Sequence, residues 1–513
     1  MEYGSAPGDN IITGSRAGSP ASPASPPLPG RRQGGAAAIL RIAGRVAAAA
    51  FALAFLYALI RVARLGVIPL WWLAGGSIIA VAAVAALAVG LWRTRPNKHP
   101  YRFTVLASAN VLGVVVSLIA ASLASAVGNF VTTIQPTPDG AMSYDVIALT
   151  SHADGIESTA GQTVGQVATD PNKAIVAERL AQVVAVDLVE LADPGLLADT
   201  LLNGTVKAAV IDRAYLPLLE ENSPGFSMLT KVLYTLDITL PQPSASPSPS
   251  ELPQHPDNGA FLAYISGIDQ FGSIGSKGRS DVNILMAVNP ETGRILLVST
   301  PRDFYVQLHG TTGLKDKLTH SGVYGIGMSQ ETLEDLYGVD IDYYLKINFS
   351  SVIQVVDLVG GVDVNSDQAF ISAYGGYAFK EGWNHLNGDQ ALGFARERYS
   401  FASGDRARGE NQEKVVAALI RKMAEPSVLL RYGAILEAAQ NGIETSMPPD
   451  QIAALANQQL SRGTDWQIDS ISVNGSDASE PTYSYGSQRL YVMIPDMATV
   501  ETATARLNEV LGR

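Results

Sequence analysis

Cysteine is absent from the 513 residues, which excludes disulfides, thiolate metal sites and Cys nucleophiles; the absence is also compatible with an exported domain. Histidine is scarce: six are present, and none pairs with another at H-x-x-x-H or a similar ligand spacing. Charge is thin as well, at 16% of residues, and its balance is negative at −12, so no nucleic-acid partner is expected. What the chain has instead is apolar residues, 47% of the total, concentrated before residue 130, a composition that leans toward a membrane protein.

Residues 1–36, with repeated Ser-Pro-Ala and Arg31-Arg32, cannot bury a core and are expected to form a disordered cytoplasmic tail. Residues 37–130 predict three transmembrane helices. The run at 46–60 is flanked by Arg41, Arg45, Arg61 and Arg64 and crosses only if those arginines snorkel. The runs at 67–92 and 104–127 carry no charge, and Trp71, Trp72 and Trp92 lie near the ends of the second as interfacial anchors. Arg16, Arg31, Arg32, Arg41 and Arg45 precede the first run, and Arg93, Arg95, Lys98 and Arg102 separate the second from the third. Both segments are therefore expected to be cytoplasmic. That makes a multi-pass protein of the plasma membrane with its large C-terminal region extracellular, although Arg61 and Arg64 then fall in an outer loop.

Residues 140–240 predict a small accessory α/β domain, with strands at 144–149 and 206–211 and helices at 174–184 and from Arg213. This region resembles one lobe of a periplasmic solute-binding fold, including its Gly161-Gln162-Thr163-Val164-Gly165 segment. The resemblance implies a small-ligand role, against the alternative of a spacer or docking domain. A Pro/Ser-rich linker follows at 241–257. Residues 258–513 then read as a mixed α/β domain: strands at 261–269, 282–289 and 295–299, helices at 330–336 and 349–358, a Gly360-Gly361 turn, and C-terminal helices at 435–443 and 449–460.

Residues 393–423 carry the densest signal. Residues 392–399 alternate apolar and charged side chains, which predicts a strand with Arg396 and Arg398 on one face. A Ser-Gly-Asp turn follows, Asp405 is a candidate N-cap, and Val415, Val416, Leu419, Ile420 and Met423 have helical spacing. Arg408 and Gln412, four apart, then share a face near the helix N-terminus, whose free N–H groups favour an anion. Like charges about 4 Å apart repel by roughly 4 kcal/mol at an effective dielectric near 20, so such a cluster needs acids or a polyanion. Either Glu397, Asp405, Glu410 and Glu413 neutralise it in a salt-bridge lattice, or it binds phosphate, whose oxygens match guanidinium forks. Asp269, Arg279-Ser280-Asp281 and Pro301-Arg302-Asp303 stand at strand termini, where loops position ligands. Two carboxylates and five arginines suit a pyrophosphate held with Mg²⁺.

Taken in order, Asp269, R-S-D at 279–281, S-T-P-R-D at 299–303, Lys346-Ile347-Asn348-Phe349, Gly360-Gly361-Val362, A-R-E-R and G-D-x-x-R-x-x-x-Q resemble the LytR-CpsA-Psr family over about residues 259–425. The resemblance implies a mixed central sheet flanked by helices. It also implies a membrane-anchored phosphotransferase that moves a glycopolymer from a polyprenyl pyrophosphate to peptidoglycan. Carried over by position, Arg302, Arg396, Arg398, Arg408 and Gln412 hold the pyrophosphate, with Arg279 alongside. Asp269 and Asp281 serve Mg²⁺ or Mn²⁺, and Asp281 is also the candidate base. Asp405 orients Arg408 or caps the helix, and Asn411 departs from the family, where many relatives carry a second Arg. The apolar faces of 352–359 and 415–423 are candidates for the lipid groove, or ordinary core. Two other functions use the same residues: a pyrophosphatase with water as acceptor, and a non-catalytic envelope receptor that docks the lipid.

Overall fold

The computed structural model describes residues 33–66, 68–133, 139–152, 154–241, 259–268, 278–402, 404–425, 428 and 442–513. These fall into two compact units, one within residues 33–53 and 81–114, the other Ala54–Ala80 with Val115–Arg513. Helices α1 (Gln33–Arg64), α2 (Leu70–Arg93) and α3 (Pro100–Thr133) are each long and apolar enough to cross a membrane. In the first unit the Arg45 guanidinium lies 5.3 Å over the Trp92 ring. Arg61 and Arg64 belong to the last turn of α1 and not to a loop, which corrects the expectation above; in the second unit Arg61 donates to Ser125 Oγ at 2.6 Å.

The accessory domain runs through β1 (Asp139–Leu149), β2 (Thr163–Val167), α4 (Lys173–Val183), β3 (Asp187–Leu191), α5 (Pro194–Leu202), β4 (Ala208–Asp212), α6 (Leu216–Asn222), α7 (Phe226–Leu229) and β5 (Thr230–Pro241). Its sheet has the order β3-β2-β4-β1-β5. β1 and β5 pair antiparallel from Asp139↔Pro241 to Leu149↔Thr230, so this domain is closed by its own first and last strands. α5 starts sharply because Pro194 fits the first helical position and Asp193 accepts the Leu196 N–H at 2.8 Å.

The larger domain contains β6 (Phe261–Ile268), β7 (Ser280–Asn289), β8 (Arg294–Ser299), β9 (Tyr305–Val306), β10 (Asp316–Lys317), α8 (Ser321–Tyr324), α9 (Ile326–Tyr337), β11 (Tyr343–Asn348) and α10 (Phe349–Leu358). After these come β12 (Val362–Ser366), β13 (Phe370–Ile371), β14 (Ala378–Phe379), β15 (Gly382–Leu386), α11 (Gly388–Arg396) and α12 (Asp405–Met423). It ends with β16 (Ile443–Thr445), α13 (Pro449–Arg462), β17 (Gln467–Ser472), β18 (Gly475–Thr482), β19 (Gly486–Pro495) and α14 (Met497–Leu511). The central sheet has the order β16-β11-β6-β7-β8-β17, with β11 parallel to β6 and β17 parallel to β8. Residues 242–258, the body of the expected linker, and 435–441 of an expected helix lie outside the described residues; Ile443 begins a strand on β11.

Strand alternation sends Leu262, Tyr264, Leu285, Leu296 and Val298 to one face, packed with α9 and α14, and Phe261, Ala263, Ile265, Ile295 and Leu297 to the other. Both faces are covered, which is why β6 is buried at every position. α12 packs Val416, Ala417 and Ile420 on the second face. Its opposite side, Val415, Ala418 and Leu419, joins Val355, Val356 of α10 and Ala391, Phe394 of α11 in a separate apolar cluster. Held on two sides, α12 delivers its first turns to the edge of the sheet.

Candidate active site

Four strands bring a terminus to that edge beside α12: the start of β7 and the ends of β6, β8 and β17. Asp281 follows the first residue of β7, Ser299-Thr300-Pro301-Arg302 leave β8, and Ser472-Val473 leave β17. With Arg406, Arg408, Gly409 and Gln412 of α12 they line one small pocket. Gly409 permits the close approach, since a Cβ there would stand 3.0 Å from Ser299 Oγ.

Arg302 Nη1 donates to Asp281 Oδ1 at 3.0 Å, and Thr319 Oγ1 donates to the same oxygen at 3.0 Å. Arg279 lies 3.9 Å from Asp281 Oδ2. Behind them Arg302 Nε is 3.4 Å from Asp303 Oδ2, and the buried Lys317 Nζ is 3.2 Å from Asp303 Oδ1. Burial pushes both carboxyls up, but the guanidiniums of Arg302, Arg279 and Arg408 prevail at Asp281 and hold it below the usual carboxylate value. Arg302, Lys317 and Arg408 do the same at Asp303. Both acids are thus ionised, and Arg279, Arg302, Lys317, Arg406 and Arg408 still outnumber them among the described residues. That arrangement, beside a helix N-terminus, has the chemistry to attract an anion.

The salt-bridge lattice loses two of its four acids. Glu397 accepts the Ala373 and Ser400 N–H groups at 2.5 and 2.9 Å. Glu413 accepts the Ser299 N–H at 2.8 Å, and burial pushes its carboxyl up to about 8, so it is neutral at pH 7. The side chains of Asp405 and Asp269 lie outside the described residues.

Two local expectations are corrected. Residues 388–396 form a helix, not a strand, because Asn387 and Gln390 make a reciprocal capping box and Ala391, Leu392, Phe394 and Ala395 have helical spacing. Arg396 is consequently its last residue, and Arg398 lies beyond it. The N-cap of α12 is Gly404, at φ +52, and Asp405 is the first helical residue. Arg396 and Arg398 do not line the pocket above. The Arg396 guanidinium lies 4.9 Å from the Phe349 ring and 5.3 Å from Tyr374, and that of Arg398 lies 4.6 Å from Tyr399. Phe349 directly follows β11, which ends level with Ile268 of β6, so Arg396 stands at the same sheet edge on the other side of β6. Lys317 and Thr319, which hold the two acids, escaped the sequence reading because no spacing links them to Asp281 or Asp303.

The chain is 40% identical over 189 residues to the polyisoprenyl-teichoic acid--peptidoglycan teichoic acid transferase TagU of Bacillus cereus, covering 37% of this chain and 60% of that protein. It is 37% identical over 193 residues to the protein of the same name from Bacillus subtilis, covering 37% and 61%. The matched stretch thus spans about three fifths of these relatives. The crystal structure of B. subtilis TagV is similar to 50% of this chain and 99% of its own, with 31% identity and a TM-score of 0.42. The model of the LytR_cpsA_psr family matches residues 238–504, more than half of the chain, and the protein belongs to that family.

Proposed function

We propose that this protein transfers a glycopolymer from a polyprenyl pyrophosphate carrier to a hydroxyl of peptidoglycan, at the outer face of the plasma membrane. The observation that carries the reading is the pocket in which Arg302, Arg408 and Gln412 meet Asp281 at the start of α12, with arginines in excess of carboxylates among the described lining residues. The names of the TagU relatives support the same class of donor and acceptor. Three apolar helices supply the anchor, and their basic flanks support an extracellular C-terminal region.

In this reaction the acceptor oxygen attacks the glycan-side phosphorus, the bond to the bridging oxygen breaks, and polyprenyl phosphate departs, the acceptor proton passing to that phosphate or to water. The guanidiniums of Arg302 and Arg408 stabilise charge on the transferring and leaving oxygens, and Gln412 adds a neutral donor. Arg396 and Arg398 approach the diphosphate from the β11 side. Asp281 is a weak base while Arg302 and Thr319 hold it, so its role is to orient Arg302 and to ligate metal. Mg²⁺ would supply further charge neutralisation on the phosphate oxygens. Asp281 Oδ2, too far from Arg279 for a short hydrogen bond, fits as a donor to it, with Asp269 as the second carboxylate. No group of three or more His, Asp or Glu gathers among the described residues, so such a metal depends on the diphosphate for most of its ligands. The apolar cluster between α10, α11 and α12 is the candidate seat of the polyprenyl chain.

The test is attachment of labelled glycan to peptidoglycan by the full chain in membranes. Arg302→Ala should abolish it; unchanged attachment would refute the assignment of Arg302 to the reaction, and no attachment by the wild-type chain would refute the reading. Release of lipid phosphate without attachment would instead mark a pyrophosphatase.

A further inference from the structure

The accessory domain is tied to the pocket through one hairpin. Strands β18 and β19 meet at a turn of Tyr483, Ser484 and Tyr485. Tyr485, 1% exposed, is packed not in its own domain but among Leu197, Ala198, Leu201, Leu219 and Phe226 of the accessory core. The docking is tight: a Cβ on Gly195 of α5 would stand 2.9 Å from the Tyr485 carbonyl oxygen. Beside it, the Tyr324 ring packs edge-on to Tyr215 of the accessory domain, and the Tyr324 hydroxyl lies 3.0 Å from Ser484 Oγ.

The same hairpin grips both segments that shape the anion pocket. Met493 N donates to Asp303 O at 2.7 Å, Tyr305 Oη donates to Pro481 O at 2.8 Å, and Tyr483 N donates to Lys315 O at 2.9 Å. The fully buried Asp316 takes the Ser484 N–H at 2.8 Å and the Ser484 hydroxyl on Oδ2, and His320 Nδ1 at 2.6 Å on Oδ1. Between Asp316 and His320 stand Lys317, on Asp303, and Thr319, on Asp281; the Thr319 N–H also donates to Arg302 O at 2.8 Å. A contact chain therefore runs from α5 through Tyr485 and Ser484 to Asp316, and from there to the partners of Arg302.

We propose that the accessory domain is a positioning domain for the diphosphate pocket, acting through the hairpin tip, with Ser484 and Asp316 as positioning residues that set Lys317, Thr319 and hence Arg302. The arrangement makes the pocket depend on a surface outside its own lining. Misplacement of a binding group by about 1 Å costs on the order of 10²-fold in rate, so partial loosening at the tip should be measurable.

The experiment uses the full chain in membranes and rests on the transferase reading above. Gly195→Val wedges α5 off the hairpin tip without touching the pocket, and Ser484→Ala removes the hydroxyl from Asp316. Each should lower glycan transfer about tenfold and speed amide exchange across residues 316–320, while strand 261–268 keeps wild-type protection. Ser484→Thr, which restores the hydroxyl, should recover most of the rate. Wild-type transfer and wild-type exchange in Gly195→Val overturn the proposal. So does loss of protection across 261–268, which would make the hairpin a folding element of the whole sheet, and so does a Ser484→Thr variant as impaired as Ser484→Ala. Arg302→Ala is run alongside. Absence of transfer by the wild-type chain sinks the transferase reading itself, and full transfer in Arg302→Ala removes Arg302 from the reaction, whereas wild-type transfer lost in Arg302→Ala but kept in Gly195→Val sinks the positioning role alone.

Discussion

Arg302 and Asp281 form a 3.0 Å ion pair in which both side chains are nearly buried, at 13% and 10% exposure. Thr319 occupies the same carboxylate oxygen, so the pair fixes the direction of the guanidinium fork as well as its charge. Arg302→Lys keeps the charge and loses the fork. Transfer is expected to fall about 100-fold, the scale seen when one transition-state donor is removed. Asp281→Asn should fall at least as far, because it frees the fork and removes a candidate metal donor. Equal rates for wild type and Arg302→Lys in the attachment assay would show that charge alone suffices.

Arg408 depresses both Asp281 and Asp303. A carboxyl held below its ordinary value keeps its stabilising pairings above that value and loses them as pH falls through the folded pKa. The acid limb of the pH–rate profile should therefore lie below the usual carboxylate range in the wild type. In Arg408→Ala that limb should move up in pH, and lipid pyrophosphate should bind about 10- to 100-fold more weakly. Gln412→Ala, which removes no charge, should weaken binding and leave the limb in place.

Glu413 gives the opposite sign. Its folded value of about 8 lies above its ordinary 4.5, so the folded state binds the proton more tightly. The stabilisation is complete below pH 4.5 and drains away as pH rises toward 8, with a limiting slope of about 1.4 kcal/mol per pH unit. Glu413→Gln keeps an acceptor for the Ser299 N–H and abolishes the titration. Denaturant unfolding from pH 5 to 8 should show the slope in the wild type and its disappearance in the variant.

Strands β6, β7 and β8 of the central sheet were legible in the sequence because their alternation and β-branched runs are local, as were α10 and the Gly360-Gly361 turn; β11, β16 and β17, the outer strands of the same sheet, were not. The segment around Arg396 was not. Its Phe394, Arg396 and Arg398 mimic a period of two, while the deciding signal lay upstream in Asn387 and Gln390. Arg279, Asp281, Arg302, Arg408 and Gln412 were named by residue type and order, and the fold brings them together. Lys317, Thr319 and the Ser484–Asp316 contact were not, because no local spacing links Lys317 to Asp303 or Thr319 to Asp281, and Ser484 meets Asp316 only when segments 168 residues apart come together.

Gly322 tests that edge from behind. It lies in α8 with its backbone against the segment that leads into β7: a Cβ there would collide with the Gly278 carbonyl oxygen and stand 2.8 Å from Ser280 N. Neither neighbour is the end of a flexible side chain, so relief requires the backbone carrying Arg279 and Asp281 to move. The buried Ser280 hydroxyl, which lies 2.7 Å from Ser266 Oγ and 2.8 Å from the Tyr264 hydroxyl, resists that movement from the sheet side. Gly322→Ala is thus expected to cost about 1–3 kcal/mol in stability, the usual scale of overpacking, and to lower transfer further than that loss of folded protein explains. The two effects separate in one preparation: unfolding gives the folded fraction, and transfer per folded molecule gives the displacement of Asp281. A variant that loses stability but keeps full transfer per folded molecule would show that the start of β7 can shift without moving Asp281 from Arg302.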